Sequence, residues 1–208
     1  VILFNASLPF GRVILPLARV KARLALWSVP EPVTSGVLQL NSFCGTNMLG
    51  SIIGNYLDRY DIPFKYFYGM PSCEKFLERF RITLRALKAE KTLKQTRIAQ
   101  VGGLANGFEN MYVDERDLEY RFGTRLQTRH TVEEIVRRAD SYDASRAARG
   151  TEEFVGAAAR TSGEVAKEQL EKAGRLYLAF REFAEENGYN ALGISCWSRF
   201  QEIYGIAV

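Results

Sequence analysis

Short apolar segments that resemble strands alternate with amphipathic segments that resemble helices along almost the whole chain. The apolar segments are brief and carry few charges, as in "VILF" at 1–4, "LALW" at 24–27 and "RIAQV" at 97–101. Such runs, each followed by a helical segment, are typical of parallel strands that helices cover on both faces. The alternation therefore predicts an α/β protein with mainly parallel sheets.

The strand at 97–101 opens a second series of elements after a long charged helix, and we place a domain boundary there. Residues 1–95 are predicted to form the C-terminal part of a first domain, and residues 96–208 a second one. Both are predicted to be Rossmann-like three-layer αβα domains, each incomplete. Longer helices are predicted at 12–21, 37–59 and 112–123, and Gly150, Gly156 and Gly163 are predicted to break the helical region of 140–187.

The cysteine and histidine contents exclude several kinds of site. The three cysteines, Cys44, Cys73 and Cys196, lie far apart and without metal-ligand spacing, which argues for a reducing compartment. His130 is the only histidine, so the sequence argues against a histidine-rich metal site, and a serine–histidine catalytic pair would depend on this one residue. The apolar start of the chain is interrupted by Pro9 and Pro16 and has no basic leader, so no membrane span or signal peptide is predicted.

Four predicted loops follow strands and are candidates for a ligand crevice, because open parallel sheets bind ligands beyond the carboxyl ends of their strands. They are residues 28–36, 69–72, 102–111 and 195–200. The third, "GGLANGFENM", is rich in glycine and precedes a helix. It is either a tight turn between strand and helix or a cradle for phosphate, although its spacing matches neither of the common nucleotide motifs.

Charged clusters also have two interpretations each. One cluster is acidic and consists of Glu109, Asp114, Glu115 and Asp117. These carboxylates either catalyse proton transfer or bind a cation, or they complement the dipole at the start of a helix. We favour the interpretation as dipole complements. The basic stretch 79–97 contains interleaved glutamates, which favours a solvated amphipathic helix over a nucleic-acid surface. No nucleic-acid partner is predicted.

Four collinear segments resemble the L-fucose isomerase and L-arabinose isomerase family, in particular its fucose-isomerase-like members. The resemblance covers nearly the whole chain and rests on the order of the segments rather than on a short signature. The segments are "LWSVPEP…SGVLQLNSFCGTNML" (26–49), "RIAQVGGLANGFENMYVDERDLEYRFG" (97–123), "TVEEIVRRA" (131–139) and "RLYLAFREFAEENGYNALGISCWSRFQEIYGIA" (175–207).

The resemblance implies a cytoplasmic, divalent-metal aldose–ketose isomerase that uses Mn²⁺ and a metal-stabilised ene-diol and assembles as a homo-oligomer, often a hexamer. The family's metal-binding carboxylates and histidine lie in segments that follow the position where this chain stops, and His130 does not match that histidine. We therefore assign no catalytic residue and no metal ligand, and expect a fragment that is inactive alone.

The resemblance also implies which residues contact the sugar. Met111 matches the methionine of the family's pocket, Phe200 matches the aromatic residue that lines the sugar site, and Trp197 lies beside it. Trp27 and Glu31, in "WSVPEP", match a loop that faces the pocket of a neighbouring subunit.

Three functional hypotheses follow. The first is a sugar isomerase of carbohydrate metabolism that acts on a small-molecule sugar. The second is a non-catalytic sugar-binding or regulatory module that uses the same α/β crevice. The third is a nucleotide-binding domain built around Gly102–Gly107.

Overall fold

The computed structural model describes residues 1–57, 61–158, 165–196 and 198–206. The predicted alternation appears as two three-stranded parallel sheets flanked by helices, which confirms the α/β fold class. The chain divides into two compact units, Val1–Leu87 and Lys88–Val208, and the division falls inside one long helix. The predicted boundary between residues 95 and 96 lies at the end of the same helix and stays a prediction.

The first unit is built on strands in the order β1-β2-β3, all parallel. Leu26 of β2 is fully buried and packs with Leu49 and Ile53 in a core on one face of this sheet. On the other face, Trp27 stacks on Phe76 with ring centroids 4.7 Å apart. The elements are β1 (Ile2–Asn5), β2 (Leu24–Ser28), α1 (Ser42–Ser51) with a π-helical turn (Ile52–Tyr56), β3 (Phe64–Tyr68) and α2 (Glu74–Gln95).

Two helices predicted in this unit are shorter than expected. The helix predicted at 12–21 is instead two 3₁₀ turns, Gly11–Ile14 and Pro16–Arg19, since Pro16 has no N–H to continue a helix across it. The helix predicted at 37–59 begins only at Ser42, after Asn41 in a left-handed conformation with φ of 54°. Residues 58–60 lie outside the described residues.

The second unit is built on strands in the order β5-β4-β6, again parallel. Ala99 and Val101 of β4 point into a core that contains Ile135, Leu178 and Phe183 from the helices on that face. The elements are β4 (Arg97–Val101), a 3₁₀ turn (Glu109–Met111), α3 (Glu115–Phe122), β5 (Arg125–His130), α4 (Val132–Asp140), α5 (Ala144–Ala157), α6 (Lys167–Asn187), β6 (Ala191–Ile194) and α7 (Arg199–Tyr204).

The prediction that glycines break the region 140–187 is wrong for Gly150 and Gly156, which both lie inside α5. Gly150 is there because α6 packs closely: a Cβ at Gly150 would meet the Leu178 side chain at 2.5 Å. Gly174 of α6 faces Thr151 in the same way, also at 2.5 Å. Small residues are thus needed where these two helices cross. Gly163 lies outside the described residues.

Substitution of Gly174 by alanine is expected to lower the free energy of unfolding by about 1–3 kcal/mol, because the added methyl group overpacks the contact with Thr151. Gly156→Ala is the matched control, since a Cβ there meets no atom within 4 Å. In a helix that change is expected to stabilise by about 0.5–1 kcal/mol. Urea denaturation of both variants checks the prediction, and equal effects of the two substitutions would contradict it.

Candidate functional site

A crevice lies at the carboxyl ends of the strands in the second unit. Gln100 and Leu126 line it from β4 and β5, and since side chains alternate along a strand, they point away from the face that Ala99 and Val101 bury. Its volume is about 680 Å³, within the range of small-molecule sites. The lining residues are Gln100, Gly103, Leu104, Ala105, Phe108, Met111, Tyr112, Val113, Asp114, Glu115, Arg116, Leu126, Thr128, Gly193, Ile194 and Ser195.

The glycine loop after β4 forms one wall of the crevice. Gly102 has φ of +86°, and a Cβ there would meet Val132 at 2.9 Å and Ser195 at 3.1 Å. The residue must therefore be glycine for the loop to turn this close to the end of β6. This geometry favours the interpretation of "GGLANG" as a tight turn.

The hypothesis of a phosphate cradle finds no support at the following helix. The chain after the glycines passes through a 3₁₀ turn, and α3 begins only at Glu115. The Asp114 carboxylate accepts hydrogen bonds from the backbone N–H groups of Arg116 and Asp117 at 2.9 and 3.4 Å. Those groups are then not free to bind a phosphate. Asp114 caps α3, and Glu115 and Asp117 lie in its first turn, which agrees with the dipole interpretation for these three residues.

Polar side chains in the crevice can bind hydroxyl groups. Thr128 donates a hydrogen bond to Glu115 at 3.3 Å. Gln100 of β4 and Ser195, which directly follows β6, add further donors and acceptors. The Arg116 guanidinium, together with backbone N–H groups, holds the pKa of Asp114 below its usual range, so this carboxylate is ionised at neutral pH. The crevice therefore offers a polyol several hydrogen-bonding groups beside the apolar wall formed by Leu104 and Phe108.

The residues predicted to bind sugar in the second unit are placed differently from one another. Met111 lines the crevice and is 63% exposed. Phe200 is 0% exposed and lies in the core, with its ring centroid 5.7 Å from that of Phe180. It does not line the crevice, and its sugar contact stays a prediction. Trp197 lies outside the described residues.

Trp27 and Glu31, predicted to face a neighbouring subunit, lie in the first unit, and their proposed sugar contacts also stay predictions. Trp27 donates from Nε1 to the Gly69 carbonyl at 2.9 Å. Glu31 accepts hydrogen bonds from the backbone N–H groups of Gln39, Leu40 and Asn41. These contacts explain why the chain stays in a loop until Ser42, since the carboxylate binds N–H groups that a longer helix would use.

A pH effect is expected from Glu31. The N–H groups, that of Leu40 foremost, lower the pKa of this carboxyl in the folded protein. The stabilisation is therefore complete above its ordinary pKa and lost as the pH falls through the lowered folded value. At neutral pH, Glu31→Gln is expected to speed hydrogen exchange at Gln39, Leu40 and Asn41 relative to wild type, with the difference vanishing in acid. Identical exchange in the two proteins at neutral pH would contradict it.

No metal centre is apparent in the part of the chain that the structure describes: no three histidine, cysteine, aspartate or glutamate side chains come together there. His130 instead contacts Tyr189 and Glu134, at 2.8 and 3.2 Å. The described residues thus do not fit the Mn²⁺ that the family resemblance implies. The three cysteines are free.

A tyrosine whose pKa departs far from its ordinary value, Tyr142, lies between α4 and α5, away from the crevice. Burial, with a hydrogen bond to Glu182 at 2.8 Å, raises the pKa of Tyr142 to about 12. Arg146 also binds Glu182, at 2.7 Å. This network joins α5 and α6 and the segment before α5, and its role is structural.

Sequence reasoning found the loops of the crevice but missed its floor. Gln100, Thr128 and Gly193 lie within strands, whereas the predicted crevice consists only of loops that follow strands. Alternation along "RIAQV" and "RLQTRH" was the available signal, since it places Gln100 and Thr128 on the face opposite the core.

Comparisons with known proteins link the chain to sugar isomerases. No family model matches it. It is 30% identical over 192 residues to a sulfoquinovose isomerase of Clostridium sp. (strain MSTE9), covering 88% of this chain and 40% of that protein. Sulfoquinovose isomerases of Alkalicoccus urumqiensis and Priestia aryabhattai are 27% and 23% identical over 194 and 195 residues, covering 88% and 90% of this chain and 40% of each relative.

The chain thus spans about 40% of the length of the curated relatives it matches. The predicted relationship to sugar isomerases is confirmed at this coarser level, while the relatives are named for a sugar other than fucose or arabinose. Within the described residues, no helix is long and apolar enough to cross a membrane.

Proposed function

We propose that this chain is part of a sugar isomerase that interconverts an aldose and a ketose, with the sugar bound in the crevice of the second unit. The observation that carries the proposal is the similarity to sulfoquinovose isomerases over 88–90% of the chain. The position of the crevice agrees with it, because strand ends of a parallel sheet are where such folds bind small molecules.

The crevice supplies what binding a sugar needs. Thr128, Gln100 and Ser195 offer hydrogen bonds to hydroxyl groups, and Leu104 and Phe108 offer an apolar surface to the carbon skeleton. Two carboxylates, Asp114 and Glu115, lie at its rim. Asp114 is bound to Arg116 and two backbone N–H groups, so its role is to position the rim rather than to carry protons.

The finer parts of the proposal come from the family resemblance. They are Mn²⁺ dependence, an ene-diol route, assembly into a homo-oligomer, and kinship with L-fucose and L-arabinose isomerases. Because the described residues offer no metal-ligand cluster, we propose that the metal ligands lie outside them. Loss of activity on chelation, restored by Mn²⁺, would support this part, and light scattering would measure the assembly.

A non-catalytic sugar-binding module is the second candidate. The observation that favours it is that the crevice combines hydrogen-bonding side chains with an apolar wall, which is enough to bind a sugar. This candidate binds sugar without converting it.

Incubation of the full-length protein with sulfoquinovose, L-fucose and L-arabinose, followed by NMR of the anomeric carbons, separates these candidates. Appearance of the matching ketose is expected, with sulfoquinovose the preferred substrate because the relatives carry that name. Sugar binding without conversion would favour the binding module. If the protein neither binds nor converts any of these sugars, both candidates are refuted.

A further inference from the structure

A second groove continues from the crevice along the outer strand of the same sheet. Its volume is about 430 Å³, and it shares Leu126, Thr128 and Arg116 with the crevice. β5 is the edge strand here, since the order is β5-β4-β6. One ligand can therefore contact both spaces, with one end in the crevice and the other beside the edge strand.

Three arginines line this groove against two glutamates, and two of the three are already paired. Arg116 binds Asp114 at 3.2 Å, and Arg125 binds Glu119 at 3.1 Å. Among the residues that the structure describes, no carboxylate pairs with Arg129. Arg129 is exposed and directly follows Thr128, which lines both spaces.

We propose that Arg129 binds a sulfonate or phosphate group on the far end of the sugar while its carbonyl end lies in the crevice. This rests on the proposed function and makes Arg129 a residue that determines specificity for anionic sugars. A guanidinium presents a planar fork of N–H donors that matches the oxygens of a sulfonate or a phosphate. Arg116 and Arg125 are less available, since their own carboxylates neutralise them.

The test uses the full-length protein with Arg129→Gln, which removes the charge from an exposed side chain. The substrates are sulfoquinovose, glucose 6-phosphate and uncharged 6-deoxyglucose. For the anionic sugars, kcat/KM is expected to fall about 10- to 100-fold, chiefly through KM, as a lost charge-assisted hydrogen bond predicts. For 6-deoxyglucose it is expected to stay unchanged. A fall in kcat/KM with only one of the two anionic sugars would show whether Arg129 binds the sulfonate or the phosphate.

Arg137→Gln is the matched control, because Arg137 is an exposed arginine of α4 outside both spaces. It is expected to behave as wild type with all three sugars. Unchanged kinetics of Arg129→Gln with both anionic sugars, or an equal loss with 6-deoxyglucose, would overturn the role of Arg129.

Calorimetry with sulfoquinovose separates this inference from the proposed function. If the wild type converts no sugar, the isomerase proposal fails, whereas weaker binding to Arg129→Gln than to Arg137→Gln would still support the anion site. Equal binding to both variants would refute it.

Discussion

Substitution of Phe200 by alanine is expected to lower the free energy of unfolding by about 3–5 kcal/mol, the usual cost of removing a buried aromatic ring. Phe200 is 0% exposed and packs against Phe180 in the core of the second unit. It is also the one fully buried residue of the short helix α7, so its loss is expected to detach that helix from the core. A lower urea midpoint of the full-length protein checks the prediction.

Tyr120→Ala is the control for this experiment, because it removes another large aromatic side chain from the same unit. Tyr120 is 90% exposed, and its substitution is expected to change the free energy of unfolding by no more than about 0.5 kcal/mol. A raised KM for the sugar with an unchanged urea midpoint in Phe200→Ala would contradict the packing role. That result would support the sugar contact that the family resemblance implies for Phe200.

A larger residue at Gly193 is expected to block sugar binding without unfolding the protein. Gly193 lines the crevice from β6, and a Cβ added there meets no atom within 4 Å. Valine suits a strand and fills part of the space that the sugar would occupy. Gly193→Val is therefore expected to raise the KM of the full-length protein about 10- to 100-fold, as steric misfits in binding pockets do.

Two variants make this prediction specific. Gly193→Ala is expected to have a smaller effect, because its methyl group fills less of the crevice. Gly156→Val is the control, since Gly156 also has open space for a Cβ but lies in α5, away from the crevice. Equal KM values for Gly193→Val and Gly156→Val would place the sugar elsewhere. A loss of folding in Gly193→Val would contradict the open space at this position.

The fold class was predictable because each strand carries its own local signal. "RIAQV" and "RLQTRH" became β4 and β5, Thr131 caps α4 and Gly123 ends α3, as short-range patterns and capping rules predict. The errors came from contacts between distant residues. Gly150 lies inside a helix because Leu178 of another helix packs against it, and no local pattern reports that contact.

The site was predictable only in part, for a similar reason. The rule of strand ends placed the loop 102–111 at the crevice, and Met111 does line it. Phe200 follows a strand in the same way, yet its ring points into the core. Sequence order places a residue near the end of a sheet, but packing decides on which side of the sheet its side chain lies.

A structure of the full-length protein with a bound sugar alcohol would show whether the second unit's crevice is the sugar site of an isomerase. Such a reduced sugar lacks the carbonyl group and stays unconverted. We expect the alcohol to contact Gln100, Thr128 and Ser195, which line the crevice. A sugar alcohol bound elsewhere, with the crevice left to solvent, would contradict it.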